Sequence, residues 1–400
     1  MKKLTLLTLL LLLMTPCLRA QKKELSQARS YIKSGKDFDK AEKLMAGIVA
    51  KDSAARQNPK VYLTWYQAVL RQYEAGNEKL YLNQKYDTAL IFNLTKRMFT
   101  ILEALDSIDA QPDKKGRVNP KYRHKHAELL DKCRPNLYFG GTFYTRKKDY
   151  ATAFAFFDTY IDCTRQPLFA NYDYAQTDTM LKKAAYWATY CGAKLDKPAL
   201  ALRHADMARR DTANLRFVLR NMADAYSTAK NDTAYLATLE EGFARYTDSD
   251  YFFSHLMDYH NAHGMADKAL QVADKALTIN RKNPLFLFAK STTLLNMGRY
   301  DECIATSDSL IAINDSLPDA YYNAGMACMN KILTAEDAPN ARRNKKAITA
   351  LYNKALPYME KCRALAPSDK QKWAPALYKI YLKLNRGKQF EEIDKLLNKK

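Results

Sequence analysis

The residues best able to carry chemistry in this sequence are three histidines on one predicted helix, His255, His260 and His263. At 100° per residue, His260 and His263 share a face, whereas His255 lies about 140° from His260. Two imidazoles without a cysteine or an acid at ligand spacing make a poor zinc site. His124 and His126 point to different helix faces. We therefore expect packed or surface histidines and assign no metal ligand.

The motifs of the common catalytic classes are absent from the sequence. An enzyme needs a nucleophile with a base, a metal cluster or a phosphate-binding loop. The sequence contains no GxGxxG, Walker, HExxH or GxSxG motif. It also lacks a CxxC pair, which argues against a thiol oxidoreductase. The sequence predicts a non-catalytic protein without a cofactor.

The composition favours helices. Among 400 residues there are 12 glycines and 13 prolines, which is about 3% each and well below ordinary usage. So few turn residues argue against an all-β fold and against a disordered or collagen-like chain. The 47% apolar share can bury a substantial core, and the 27% charged share excludes a polytopic membrane protein.

Residues 1–20 have the features of a secretory signal. Lys2 and Lys3 precede an eleven-residue apolar run, Leu4 to Met14, and Leu18-Arg19-Ala20 offers a cleavage site before Gln21. The apolar run is too short to span a membrane. Lipidation of Cys17 is an open alternative. The signal predicts export to the periplasm or the cell envelope of a bacterium.

The net charge of +21 raises the question of a nucleic-acid partner. Export argues against nucleic acid, and no run of five or six basic residues occurs. The densest basic cluster is Arg342, Arg343, Lys345 and Lys346. It is either a solvated helix face or a contact with an anionic envelope polymer or a membrane surface.

A 34-residue repeat is the strongest pattern in the chain. Units begin at 182, 216, 250, 284 and 318, and each contains two apolar-periodic helices joined by a short turn, such as Gly264 or Gly298. Small residues recur where the two helices must cross closely: Ala269 and Cys303 at position 20, and Ala276 at position 27. The pattern predicts stacked helix pairs, since one pair cannot bury its own apolar face.

These residues resemble the tetratricopeptide repeat (TPR). The segment 134–167 follows its pattern of small and aromatic positions with Leu137, Gly140, Gly141, Tyr144, Tyr150, Ala153 and Phe157. The resemblance covers nearly all of the chain after residue 20. It implies an all-α, right-handed superhelical solenoid of antiparallel helix pairs with about 7–8 repeats. Another all-helical solenoid is an alternative that the 34-residue spacing disfavours.

The repeats differ in regularity along the chain. We expect irregular repeats over 21–133 and regular ones over 134–400, with inserts at 168–181 and 332–349. The inserts either mark a binding face or only extend local packing. The polar segment from Asn385 to Lys400 is expected to be a capping helix.

Six cysteines follow the signal segment. Cys303 and Cys362 occupy small-residue positions and are expected to be buried thiols. Cys133 precedes the first helix of its unit and Cys163 lies near the end of the second, so antiparallel packing would bring them together. Export permits a disulfide there, and free thiols are the alternative. Cys303 should likewise lie opposite Cys328.

Within the resemblance, the first helices of stacked pairs line the concave side. Their outward residues fall near unit positions 2, 5, 9, 12 and 13. Tyrosine and arginine are common in interface hot spots, and asparagine can pair with a peptide backbone. The predicted partner-binding residues are Tyr138, Arg146, Tyr186, Tyr190, Arg220, Asn261, Asn296 and Tyr322. Each of them is also compatible with an ordinary solvated helix.

The resemblance implies protein interaction without identifying the partner. We expect an exported scaffold that binds a protein or peptide segment in the concave groove. The alternative is a protein of the envelope that binds glycan or peptidoglycan through its basic, tyrosine-rich surface.

Overall fold

The structure, a computed structural model, describes residues 21–339 and 344–398. Across these ranges the chain forms helices, turns and connecting segments, and no strand occurs. The predicted all-α class is therefore confirmed. None of the described helices is long and apolar enough to cross a membrane. The expected signal segment 1–20, Cys17, Arg342, Arg343 and the last two residues lie outside the described ranges.

The chain divides into two compact units, Met1–Lys230 and Asn231–Lys400. In the first unit the described chain opens with helix α1 at 21–33. It continues with α2 (Phe38–Lys51), α3 (Pro59–Tyr81), α4 (Thr88–Asp109), α5 (Arg123–Cys133), α6 (Pro135–Arg146), α7 (Tyr150–Asp162), α8 (Tyr174–Thr177), α9 (Leu181–Lys194), α10 (Pro198–Arg203), α11 (Ala205–Ala208) and α12 (Leu215–Thr228).

The second unit contains nine helices in its described residues. They are α13 (Asp232–Arg245), α14 (Asp250–Ala262), α15 (Ala266–Ile279), α16 (Pro284–Asn296), α17 (Tyr300–Ile313), α18 (Pro318–Glu336), α19 (Lys345–Leu365), α20 (Lys370–Lys383) and α21 (Gly387–Asn398). Within each unit, most helices pack against the helix that follows them in the chain.

The observed helices follow the repeat that the sequence predicts. First helices begin at Leu181, Leu215, Asp250, Pro284 and Pro318, within one residue of the expected unit starts. Local sequence explains these starts, because a proline suits the first helical turn and the Asn283 side chain accepts a hydrogen bond from the Leu285 amide. Within the described residues, four helix pairs lie in the first unit and four in the second, while α12 and α13 stand on either side of the unit boundary in the sequence.

Small residues lie where paired helices cross, as predicted. Ala269, Ala276 and Cys303 are fully buried. The closest approach involves Gly192 of α9, where an added Cβ would lie 2.3 Å from the backbone nitrogen of Ala201 on α10. No side chain fits between two backbones at that distance, so a glycine is required there.

The two inserts take different forms. The described parts of the insert at 332–349 lengthen an existing pair, so that α18 has 19 residues and α19 has 21. The expected capping helix is α21, whose buried Ile393 packs on the unit core. In the sequence, the boundary between the two compact units falls between Lys230 and Asn231. The division of the repeats at 133/134 by their regularity stays a prediction.

The insert at 168–181 is held in place by Arg134. Its guanidinium lies 3.9 Å from the ring centres of both Tyr160 and Tyr174. It also pairs with Asp178 at 2.7 Å and donates a hydrogen bond to the Tyr160 carbonyl. These contacts fix the turn at 167–169 and helix α8 against the first unit. The insert therefore extends local packing, which is one of the two roles expected from the sequence.

Candidate functional site

Three of the predicted partner-binding residues surround one cavity in the first unit. Tyr186 and Tyr190 of α9 face Arg220 of α12 across a cavity of about 210 Å³. The remaining lining residues are Ala193, Lys194, Phe217, Asn221 and Asp224. The 34-residue register places equivalent positions of neighbouring first helices side by side, and this explains why these side chains meet.

Aromatic rings build one wall of the cavity. Trp187 contacts Tyr186 and Tyr190 at centroid distances of 5.0 and 5.7 Å. Tyr150, at the start of α7, packs edge-on against Tyr190 at 5.9 Å. The Lys194 ammonium lies 5.5 Å from the Tyr190 ring centre. Burial raises the pKa of both cavity tyrosines, so their hydroxyls stay protonated and can donate hydrogen bonds near neutral pH.

The opposite wall offers an apolar side chain and an unused donor. Phe217 is 53% exposed, which is unusual for a phenylalanine. The Nδ2 atom of Asn221 is buried and has no hydrogen-bond partner. A buried amide without a partner carries a desolvation penalty of about 1–3 kcal/mol. A ligand carbonyl that accepted a hydrogen bond from Asn221 would remove that penalty.

The structure places the other predicted residues elsewhere. Tyr138 of α6 packs edge-on against Phe157 and Tyr160 of α7, with ring centres 5.7 and 5.9 Å apart. Arg146 is exposed at the end of α6. In the second unit, Asn261 and Asn296 are exposed near the ends of α14 and α16. Tyr322 is half-buried against the core of that unit.

The sequence analysis missed several lining residues. Phe217 and Asp224 occupy positions 2 and 9 of the unit that begins at 216, so the same register contained the signal for both. Asn221, a further lining residue, and Trp187, which packs against the two tyrosines without lining the cavity, both occupy position 6 of their units, which is not an outward position. Their roles depend on how α9 and α12 pack with their neighbours.

The three histidines predicted on one helix and His126 each lie beside a tyrosine, and His260 and His263, which the spacing places on one face, both contact Tyr259. His255 pairs with the Tyr235 hydroxyl at 3.0 Å through Nδ1. His263 is exposed and contacts the Tyr259 carbonyl oxygen at 2.8 Å. His260 is buried, and His126 is buried beside Tyr66 and Tyr122.

One group of metal-ligand type was not anticipated. Asp158 and Asp162 of α7 and His204, between α10 and α11, place ligand atoms within 4.8 Å of one another. His204 Nε2 lies 2.7 Å from Asp158, and Arg203 pairs with both carboxylates at 2.9 and 3.1 Å. Because the Arg203 guanidinium pairs with both carboxylates, the group forms an ion-pair network that joins α7 to α10.

The six cysteines within the described residues are buried free thiols. Cys163 donates a hydrogen bond to the Thr159 carbonyl, and burial raises the pKa of the Cys133 thiol. The structure therefore does not support the predicted disulfide between Cys133 and Cys163. Burial raises the pKa of the Cys163 thiol to about 12, which makes it a poor nucleophile at neutral pH.

No protein-family model matches the sequence, and no curated protein matches it. The similar solved structures include several TPR proteins. YrrB, described as a TPR protein with an unusual peptide-binding site, is 16% identical over 47% of this chain and 88% of its own, with a TM-score of 0.36. The C-terminal part of a TPR protein from Cytophaga hutchinsonii is 13% identical over 64% and 92%, with a TM-score of 0.45. A TPR protein from Bacteroides fragilis is 18% identical over 66% and 98%, with a TM-score of 0.32.

Proposed function

We propose that this chain is a non-catalytic interaction protein of the bacterial cell envelope. In this proposal it binds an extended segment of a partner protein against the first helices of its first unit. The cavity between α9 and α12 carries the proposal. It combines an aromatic wall, the exposed Phe217 and the unpartnered amide of Asn221 in one place.

The chemistry of the cavity suits a peptide. An extended backbone presents carbonyl groups, and one of them can accept the hydrogen bond that Asn221 Nδ2 lacks. Phe217 and Tyr186 supply contact area for an apolar side chain of the partner. Both charge signs border the cavity, with Lys194 at the end of α9 and Arg220 and Asp224 on α12. This mixture favours a polar, uncharged backbone over a strongly charged polymer.

The test of partner binding uses the tagged chain and native cell envelope. A Tyr186→Ala, Tyr190→Ala, Arg220→Ala variant should retain less than a tenth of the partner that co-purifies with wild type. Tyr81→Ala is the matched control, because Tyr81 is 85% exposed at the end of α3 and does not line the cavity. Both variants are first checked for unchanged melting.

Asn221→Leu separates binding from folding. Replacing an unpartnered buried amide by an apolar group of similar size should leave stability unchanged or raise it, yet it should weaken partner capture. Undiminished capture by both this variant and the triple variant would contradict the cavity as the binding site. Recovery of glycan instead of a discrete protein would favour the glycan- or peptidoglycan-binding alternative.

The envelope location rests on the signal-like segment 1–20. Cell fractionation and intact mass should give an exported chain that begins at Gln21. A full-length cytosolic product would contradict export, and a lipid adduct on Cys17 would place the chain at a membrane surface.

A further inference from the structure

A second cavity lies in the second unit, separate from the residues of the proposed function. It occupies the space between α13 and α15, with α14 beneath, and measures about 340 Å³. Cavities of about 300 Å³ and more are large enough for small organic ligands. Its lining residues are Glu240, Phe243, Leu256, His260, Lys268, Gln271, Val272 and Lys275.

The floor of this cavity contains a buried polar group without a partner. His260 of α14 is only 3% exposed, and its Nδ1 atom forms no hydrogen bond. Burial, followed by the charge of Lys268, lowers the pKa of the imidazole. A neutral imidazole in this position can donate one hydrogen bond to an acceptor that enters the cavity.

The rim is predominantly cationic. Lys268 and Lys275 of α15 stand on one side, and Glu240 of α13 is the single acid among the lining residues. Lys268 forms no ion pair with any residue in the described ranges, so its ammonium remains available. Lys275 lies 5.5 Å from the ring centre of Phe243, which keeps its charge close to the apolar part of the cavity.

Apolar and cationic surfaces therefore meet inside one small volume. Phe243, Leu256 and Val272 provide the apolar contacts. A dianion such as phosphate would leave these surfaces unused, whereas an uncharged apolar molecule would leave the two ammonium groups and the His260 nitrogen unused. A single carboxylate attached to a short apolar group matches all of these features.

We propose that this cavity binds a monocarboxylate that carries a short apolar group. The carboxylate accepts hydrogen bonds from Lys268 and His260, and the apolar group lies against Phe243 and Val272. The proposal does not depend on the peptide site, since the two cavities share no residue. The carboxylate belongs either to a free small acid or to the C-terminus of a polypeptide.

The first experiment is a ligand-observed NMR titration of the full chain with hexanoate and with hexanamide, which lacks the charge. Hexanoate should bind saturably and at least tenfold more tightly than hexanamide. Equal binding of the two, or no saturable binding of hexanoate, would overturn the proposal. A short peptide ending in leucine, with a free or an amidated C-terminus, then distinguishes the two sources of the carboxylate.

Two variants test the assigned residues. Lys268→Gln should weaken hexanoate binding at least tenfold, whereas Lys282→Gln, an exposed lysine of the same unit outside the cavity, should not change it. His260→Phe replaces an unpartnered nitrogen by carbon and should melt no lower than wild type, yet bind hexanoate more weakly. The proposal is wrong if Lys268→Gln binds hexanoate as wild type does, or if a folded His260→Phe does so.

Discussion

Replacing Arg134 should lower the stability of the first unit, because this side chain makes several buried contacts at once. Its side chain is 6% exposed and that of its partner Asp178 is 11% exposed. Arg134→Leu removes the ion pair, the hydrogen bond to the Tyr160 carbonyl and both ring contacts at once. The Asp178 carboxylate then remains buried without its cation.

The magnitude follows from what Asp178 retains. Breaking a buried ion pair by removing one partner destabilises a protein by about 3–5 kcal/mol. Asp178 keeps the hydrogen bond from the Tyr160 hydroxyl at 2.7 Å and that from the Met180 amide at 2.8 Å. These two bonds partly stabilise the carboxylate, so we expect the lower end of that range, about 3 kcal/mol.

The assay is a urea titration followed by pulsed hydrogen exchange and mass spectrometry. Peptides from the two compact units then report separately, so the unfolding free energy of the first unit is measured by itself. The decrease in the free energy of unfolding should appear in peptides of the first unit. Residues 167–181 should also exchange faster without urea, because Arg134 anchors them.

Arg117→Ala is the matched control, because Arg117 forms an exposed pair with Asp113. Surface pairs of this kind contribute about 0–1 kcal/mol. The combination of Arg134→Leu with Asp178→Leu should recover most of the loss, since no buried charge remains. An Arg134→Leu loss no larger than that of Arg117→Ala would refute the reasoning.

Two further predictions concern stability in the first unit. Gly192→Ala should destabilise the first unit by about 1–3 kcal/mol in urea titrations, because the added methyl group overpacks against Ala201. Gly47→Ala, with open space around the added Cβ, should instead stabilise the unit by about 0.5–1 kcal/mol. Equal effects of the two variants would contradict the close approach of Gly192 to Ala201. Burial, reinforced by the charge of Asp162, raises the pKa of the Glu103 carboxyl to about 7. Between the ordinary pKa of a glutamate and about 7, the folded state therefore binds more protons than the unfolded state. The free energy of unfolding should fall as the pH rises across that window. Glu103→Gln should reduce the dependence of the urea unfolding midpoint on pH in this window. An unchanged dependence would show that another group causes it.

Part of the candidate site was predictable from the sequence. Tyr186, Tyr190 and Arg220 meet because each occupies an outward position in a repeat of constant length, and that length can be counted along the chain. Phe217 and Asp224 follow from the same register. Asn221 does not, because only the packing of its neighbours leaves its amide without a partner.

The sequence by itself determined the helix pairs, their 34-residue spacing and the small residues at the crossings, such as Ala269. Helix and turn preferences act within a few residues, and apolar periodicity marks the buried face of each helix. Only the tertiary structure decided that Arg134 pairs with Asp178 and that His260 lies unpartnered beneath a cavity. These arrangements join residues on different helices, and their contacts depend on distances and angles between helices that no local pattern records.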